Sequence, residues 1–174
     1  MANGLTALRL LIAPALVLAI VRDASMAATL LFFLAVATDV ADGYLARRWG
    51  TASARGALFD HAVDAIFVTA GTSALAWVGA LPVLLPPAIA IAFLQYALDS
   101  RILASRARRP SQLGRWNGVA YYVVVAVPLV RDALGLSWPG PELLRLAGWL
   151  LLASTGVSVA ERAWLLLGVR AREA

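Results

Sequence analysis

The chain alternates between long apolar stretches and short breaks that contain arginine, glycine or proline. The apolar stretches cover residues 5–21, 26–46, 57–80, 82–99, 117–135 and 143–166. A membrane-spanning helix needs about 20 mostly apolar residues, and each stretch comes close to that length. The pattern therefore predicts an all-α, polytopic integral membrane protein with six transmembrane helices.

The composition agrees with this prediction, because 61% of the residues are hydrophobic and only 14% are charged. Soluble domains are usually about 45–50% apolar and about 25% charged. No polar stretch is long enough for a second domain, so we expect a single membrane domain over residues 1–174. The first apolar stretch lacks a basic leader and a cleavage site, so we expect a retained helix rather than a signal peptide. The chain has no cysteine, which excludes disulfides and thiolate metal sites.

All fifteen basic residues are arginine, and they lie mostly at the ends of the apolar stretches. Cytoplasmic loops of membrane proteins are enriched in basic residues. Six spans with a cytoplasmic N terminus place twelve arginines toward the cytoplasm and only Arg22, Arg131 and Arg145 on the other side. We expect this orientation, with the site facing the cytoplasm of a prokaryotic plasma membrane. The net charge of +5 does not form a soluble basic face, which argues against nucleic-acid binding.

Four aspartates interrupt the second and third apolar stretches: Asp39, Asp42, Asp60 and Asp64. Spacings of three and four residues place each pair on one face of its helix. Asp39 precedes the arginine-containing loop by eight residues, and Asp64 follows it by nine. At about 1.5 Å per residue, both lie roughly 12–14 Å from a helix end, so two antiparallel helices bring all four acids to similar depths. His61 is offset by about 100° from Asp60, which favours packing, or a hydrogen bond to a metal ligand, over direct metal ligation.

Ionisable groups inside a membrane span are costly and usually face a functional cavity. Four neighbouring carboxylates need a countercharge, and such a cluster of hard oxygen ligands suits Mg²⁺ or Mn²⁺. Gly43, Ala46 and Gly56 lie at helical spacing from these aspartates. Small residues at such positions let helices pack closely or leave room for a ligand. Arg47 lies at the predicted cytoplasmic end, where its guanidinium could hold a phosphate.

These residues form the pattern Asp39-x2-Asp42-Gly43-x2-Ala46-Arg47-x8-Gly56-x3-Asp60-x3-Asp64. The pattern resembles the signature of the CDP-alcohol phosphotransferase family, with every fixed position filled over 26 residues. The resemblance implies a six-helix membrane enzyme that is usually a homodimer. Such an enzyme transfers a phosphatidyl group from a CDP-activated lipid, such as CDP-diacylglycerol, to an alcohol hydroxyl and releases CMP.

The resemblance also implies roles for the individual residues. Asp39, Asp42 and Asp60 would ligate two divalent ions, and Asp64 would be the general base and a further contact to a metal. The expected CDP site comprises Asn3, Thr6, Asp42, Gly43, Ala46, Arg47 and Gly56. Asn3 and Thr6 belong to this set because Asn3-x-Leu5-Thr6-x2-Arg9 is similar to the amino-terminal segment of the family.

A further segment bears on the acceptor alcohol. Pro110-Ser111-x2-Gly114-Arg115 resembles the Gly-Lys segment of relatives that use phosphorylated acceptors, with arginine in place of lysine. The expected acceptor-binding residues are Arg101, Arg109 and Arg115, although loop arginines also set topology or contact anionic lipids. Glycerol phosphate, an inositol phosphate, a second lipid and an amino alcohol all remain open as acceptors.

Three other functions fit parts of the pattern. Asp60-x3-Asp64 alone satisfies part of an aspartate-rich prenyltransferase motif, although those enzymes are larger. The carboxylates could instead line the pathway of a small cation transporter or channel. A non-catalytic family member that acts as an assembly partner is the third alternative. Prenyl-diphosphate turnover, ion flux without CDP-lipid chemistry, or CMP release would separate these functions.

Overall fold

The computed structural model describes residues 2–49, 54–102 and 112–170, without the side chains of residues 2–5, 45–47, 54–55, 98–102 and 165–170. The described residues form six α-helices: α1 (Ala2–Val21), α2 (Ser25–Arg48), α3 (Ala54–Trp77), α4 (Leu85–Ile102), α5 (Gln112–Ala133) and α6 (Pro141–Arg170). The predicted all-α fold is confirmed, and each helix overlaps one predicted apolar stretch.

Three helices end in the same way, and this positions the helix that follows each of them. After α1, α3 and α5, a backbone N–H donates to the carbonyl five residues earlier, with N–O distances of 2.8–2.9 Å. The residue before this N–H is left-handed in each case: Asp23 (φ 56°), Gly79 (φ 79°) and Gly135 (φ 63°). Glycine adopts this conformation without a steric cost, and the arrangement satisfies carbonyls at the helix end. The chain therefore turns back sharply, and α1/α2, α3/α4 and α5/α6 each form packed pairs.

Prolines mark the start of two helices. Pro86 and Pro87 lie in the first turn of α4, and Pro141 is the first residue of α6. A helix does not use the N–H groups of its first turn, so proline is tolerated there. This explains why the fourth helix begins at Leu85, three residues later than the predicted start at 82.

The helices pack around a continuous apolar core. α1 packs against α2 and α3, α2 also contacts α5, and α6 packs against α4 and α5. Contacts to α1, α4 and α5 place α3 between the N-terminal and C-terminal helices. The core includes Leu16 of α1, Phe32 of α2, Phe67 of α3, Ile89 of α4 and Val125 of α5.

Large apolar side chains cover much of the outer surface, whereas several polar groups are buried. Leu11, Trp77, Val83 and Trp164 are all more than 70% exposed, while Arg9 is buried. Soluble monomeric proteins rarely expose large contiguous apolar areas. This distribution is typical of a protein surrounded by lipid.

Three of the described helices are long and apolar enough to cross a membrane: Ser25–Tyr44, Gln112–Ala133 and Pro141–Trp164. Thr6–Val21 and Leu85–Ala97 are apolar but shorter. α3 has 24 residues, but its first half carries Asp60, His61 and Asp64. Length and apolarity therefore identify half of the six helices as spans.

We expect Gly148→Ala to lower the thermal stability of the protein. A methyl group at this position in α6 would overlap the ring of Pro82, whose Cγ lies 3.2 Å from the added carbon, and Leu81 Cδ2 lies 3.3 Å from it. Overpacking of this kind typically costs about 1–3 kcal/mol. Thermal unfolding in detergent micelles, followed by circular dichroism, measures the effect.

Gly156→Ala in the same helix is the matched control. A methyl group there meets no described atom within 4 Å, and alanine favours a helix over glycine by about 1 kcal/mol. Equal loss of stability in the two variants would contradict close packing of α6 against the α3–α4 connection.

Candidate active site

A buried arginine joins three carboxylates where α1 packs against α2 and α3. Arg9 of α1 is only 1% exposed. Its Nη1 lies 2.8 Å from Oδ1 of Asp39 in α2 and also pairs with Oδ1 of Asp64 in α3, while Nη2 pairs with Oδ1 of Asp60. Buried charges are stable only when they are paired. Arg9 therefore supplies the countercharge that allows these acids to lie together.

Asp39, Asp60 and Asp64 form a group with the spacing of metal ligands. One side-chain oxygen from each residue lies within 4.8 Å of the other two. The side chains of Asp39 and Asp60 are 36% and 40% exposed, whereas that of Asp64 is 16% exposed. Hard divalent cations prefer carboxylate oxygens, and a cationic guanidinium already binds these three acids. The group therefore fits a divalent ion.

Asp42 faces a different partner from the other three acids. It is buried, and its Oδ2 accepts a hydrogen bond from the hydroxyl of Thr6 in α1. Its Oδ1 is also buried and has no hydrogen-bond partner among the described residues. Buried polar atoms usually have a partner. This oxygen therefore fits a bound ion or ligand group better than a purely structural contact.

A cavity of about 530 Å³ lies beside the acidic group, between α3, α4, α5 and α6. Its polar lining includes His61, Asp64, Gln95, Arg115, Tyr122 and Arg162. The hydroxyl of Tyr122 donates to Oδ1 of Asp64 at 3.0 Å. This volume is typical of a small-molecule site, and Asp64 belongs both to the cavity and to the acidic group.

An arginine and two aromatic rings stack along one wall of the cavity. The Arg162 guanidinium carbon lies 5.2 Å from the centre of the Tyr96 ring, a distance typical of a cation–π contact. The Tyr96 ring centre lies 4.6 Å from that of His61. A Cβ at Gly114 would lie 3.0 Å from Arg162 Nη2, so the glycine leaves room for the guanidinium. This wall therefore presents a cation to the cavity.

The structure brings together several residues that the sequence predicts for the site. Asp39, Asp60 and Asp64 meet as predicted, and Thr6 contacts Asp42. Their roles as ligands, base and CDP contacts stay predictions.

The structure describes the other predicted site residues only in part. Gly43 and Gly56 are half-buried in α2 and α3, and Arg115 is exposed at the cavity. The side chains of Asn3, Ala46, Arg47 and Arg101 lie outside the described part, as does the whole of Arg109. The CDP and acceptor roles assigned to these residues stay predictions as well.

Sequence reasoning missed three residues of the site. Arg9 is named only as the end of the N-terminal segment, although an arginine inside an apolar stretch is itself a signal of a functional group. Arg162 is treated as a cytoplasmic topology residue, and nothing in the sequence links it to the cavity. Tyr122 lies in an apolar run next to Tyr121, and no sequence signal distinguishes these two tyrosines.

Comparisons with known proteins agree with these features. The sequence model of the CDP-alcohol phosphatidyltransferase family matches residues 1–160. A Cereibacter sphaeroides protein named CDP-diacylglycerol--glycerol-3-phosphate 3-phosphatidyltransferase is 34% identical over 134 residues, which are 72% of this chain and 61% of that protein. A Haemophilus influenzae protein of the same name is 38% identical over 69 residues, which are 38% of this chain and 37% of that protein. The chain thus spans less than two thirds of the length of these relatives.

We expect Thr6→Val to destabilise the protein by about 1–3 kcal/mol, because it leaves the buried Asp42 carboxylate without its hydroxyl donor. Thr72→Val is the matched control. Thr72 is also buried, but its hydroxyl donates to the Val68 carbonyl of its own helix at 2.8 Å. Thermal unfolding in detergent compares the two variants, and similar losses would contradict a special role for the Thr6–Asp42 hydrogen bond.

Proposed function

Because the chain belongs to the CDP-alcohol phosphatidyltransferase family, we propose that it transfers a phosphatidyl group from a CDP-activated lipid to the hydroxyl of a small alcohol. CMP is the second product. The observation that carries this proposal is the acidic group of Asp39, Asp60 and Asp64 beside a cavity of about 530 Å³. A transferase of this kind needs a site for the donor's pyrophosphate and an adjoining site for the acceptor alcohol.

The acids supply the donor side of the proposed site. Asp39, Asp42, Asp60 and Asp64 would hold Mg²⁺ or Mn²⁺, and we propose two ions. When bound, such ions neutralise charge on the pyrophosphate and on the departing CMP. Asp39 and Asp60 are the more exposed members of the group, so the pyrophosphate of CDP-diacylglycerol is proposed to approach from their side.

Asp64 supplies the general base in this proposal. It lines the cavity, so an acceptor hydroxyl held there comes within reach of its carboxylate. Arg9 and Tyr122 both donate to Oδ1, which leaves Oδ2 as the oxygen that takes the hydroxyl proton. The acceptor oxygen then bonds to the lipid-linked phosphorus as the bond from that phosphorus to CMP breaks. Tyr122 acts by holding the Asp64 carboxylate in position.

We propose a phosphorylated acceptor, with glycerol 3-phosphate as the first candidate because the names of both relatives include it. Arg162 of α6 and Arg115 of α5 both line the cavity. Arginine binds phosphate through several N–H donors at once. Arg162 is also held by the Tyr96 ring, which keeps its side chain beside the cavity. An inositol phosphate has the same anionic group and is the second candidate.

The membrane arrangement completes the proposal. We propose that all six helices cross a prokaryotic plasma membrane with the N terminus in the cytoplasm, because this places twelve of the fifteen arginines on the cytoplasmic side. Arg9 of α1 and Asp60 and Asp64 of α3 then face the site rather than lipid. We further propose that residues 1–174 act as one domain and that the protein forms a homodimer, as the family resemblance implies.

The first test is CMP release by purified protein with CDP-diacylglycerol, Mg²⁺ or Mn²⁺, and either glycerol 3-phosphate, inositol phosphate or unphosphorylated glycerol. We expect metal-dependent release that a phosphorylated acceptor stimulates. Asp64→Asn should reduce turnover by about 10²–10⁴-fold, the usual contribution of a general base, while CDP-lipid binding persists. Asp132→Asn removes an exposed acid that pairs with Arg131 and should leave turnover unchanged. No release with any acceptor would refute the function, and full turnover of the Asp64 variant would refute its role as base.

The second test concerns the acceptor phosphate. Arg162→Gln should raise KM for glycerol 3-phosphate by about 10–100-fold, because a hydrogen bond to a charged group is worth about 1.5–3 kcal/mol. KM for CDP-diacylglycerol should stay within a few-fold of the wild-type value. Arg145→Gln, which removes an exposed arginine paired with Glu142, is the matched control. An equal rise in both KM values would contradict a specific acceptor role.

A further inference from the structure

Arg9 pairs with the same three carboxylates that a divalent ion would use. Its two terminal nitrogens bind Oδ1 of Asp39, Asp60 and Asp64, and these three residues are the ones with the spacing of metal ligands. Mg²⁺ requires oxygen ligands at about 2.0–2.1 Å in a nearly octahedral arrangement. The guanidinium and the ion would use the same carboxylates, and two cations at this distance repel each other, so they compete for the group.

The burial of Arg9 limits where its side chain can go after it leaves the acids. The residue is 1% exposed, and a buried charge that loses its partner is strongly destabilising. Release of the carboxylates is therefore favourable only if another anion takes their place. The pyrophosphate of a CDP-activated lipid is the anion that the proposed reaction brings to this site.

A second observation shows that the contacts of Arg9 are incomplete. Its Nε is buried and has no hydrogen-bond partner in the described part of the chain, and the same holds for Oδ1 of the nearby Asp42. Buried polar atoms of this kind usually have a partner. An incoming anion would provide an acceptor for Nε, and an incoming cation would satisfy Oδ1 of Asp42.

We propose that Arg9 is the resident countercation of the acidic group, that it competes with divalent metal for the same carboxylates, and that it turns to the donor's pyrophosphate when metal binds. This inference rests on the proposed function, since it assigns the anion from the donor. Arg9 is then a positioning residue that holds the carboxylates together and links metal binding to donor binding. Linkage of this kind works in both directions, so each ligand strengthens the binding of the other.

The test measures Mn²⁺ binding to the full chain in lipid nanodiscs without any acceptor, by electron paramagnetic resonance of the free ion. Without donor, Arg9→Gln should bind Mn²⁺ at least about tenfold more tightly than the wild type, whereas Arg9→Lys should restore weaker binding. Arg145→Gln is the matched arginine control and should bind Mn²⁺ like the wild type. Mn²⁺ affinity of Arg9→Gln that equals or falls below the wild-type value would overturn the proposal.

If Arg9→Gln does not fold, the wild-type protein alone provides a second test of the proposal. CDP-diacylglycerol in the nanodisc should tighten Mn²⁺ binding by about 5–150-fold, the usual range of coupling between two sites. Protein-free nanodiscs with the same lipid correct for direct chelation. Mn²⁺ affinity that does not respond to CDP-diacylglycerol would overturn the inference. Absence of CMP release would refute the proposed function instead, because the Mn²⁺ comparison of Arg9→Gln with the wild type needs no turnover.

Discussion

The ion pairs of Arg9 with Asp39, Asp60 and Asp64 are the interaction on which the rest of the structure depends. Three carboxylates that approach within 4.8 Å repel one another strongly in a weakly polar interior. A single buried guanidinium from α1 compensates this repulsion, and it reaches acids on both α2 and α3. The packing of α1 against these two helices is therefore fixed by charge as well as by the apolar core around Leu16.

The sequence predicts most of the acidic group because helix geometry relates spacing to direction. Residues four apart differ by about 40° around a helix and residues three apart by about 60°. Asp60 and Asp64 accordingly point to the same partner, Arg9. The larger offset between Asp39 and Asp42 separates them, so Asp39 reaches Arg9 while Asp42 reaches Thr6. Spacing thus predicts a shared face but does not decide which neighbour each carboxylate contacts.

The remaining contacts could not be predicted because they depend on which faces of distant helices meet. Lipid is as apolar as the protein core, so an apolar pattern locates membrane helices without identifying their inward faces. Tyr122 and Arg162 look like an ordinary aromatic residue and a topology-determining arginine until α5 and α6 pack beside α3 and α4. The weak span signal of α3 has a related cause, since its first half carries Asp60, His61 and Asp64 of the site and is less apolar for that reason.

The position of α3 explains how one small bundle places the acidic group and the cavity next to each other. Asp60 faces Arg9 and α1, whereas His61, about 100° further around the helix, packs on Tyr96 of α4 at the cavity. Asp64 lies one turn after Asp60 and reaches both sides, because it pairs with Arg9 and also accepts from Tyr122. Within the described residues, the acidic group and the cavity therefore share this one carboxylate. Under the proposed function, a donor held at the acids and an acceptor held in the cavity would therefore meet at Asp64.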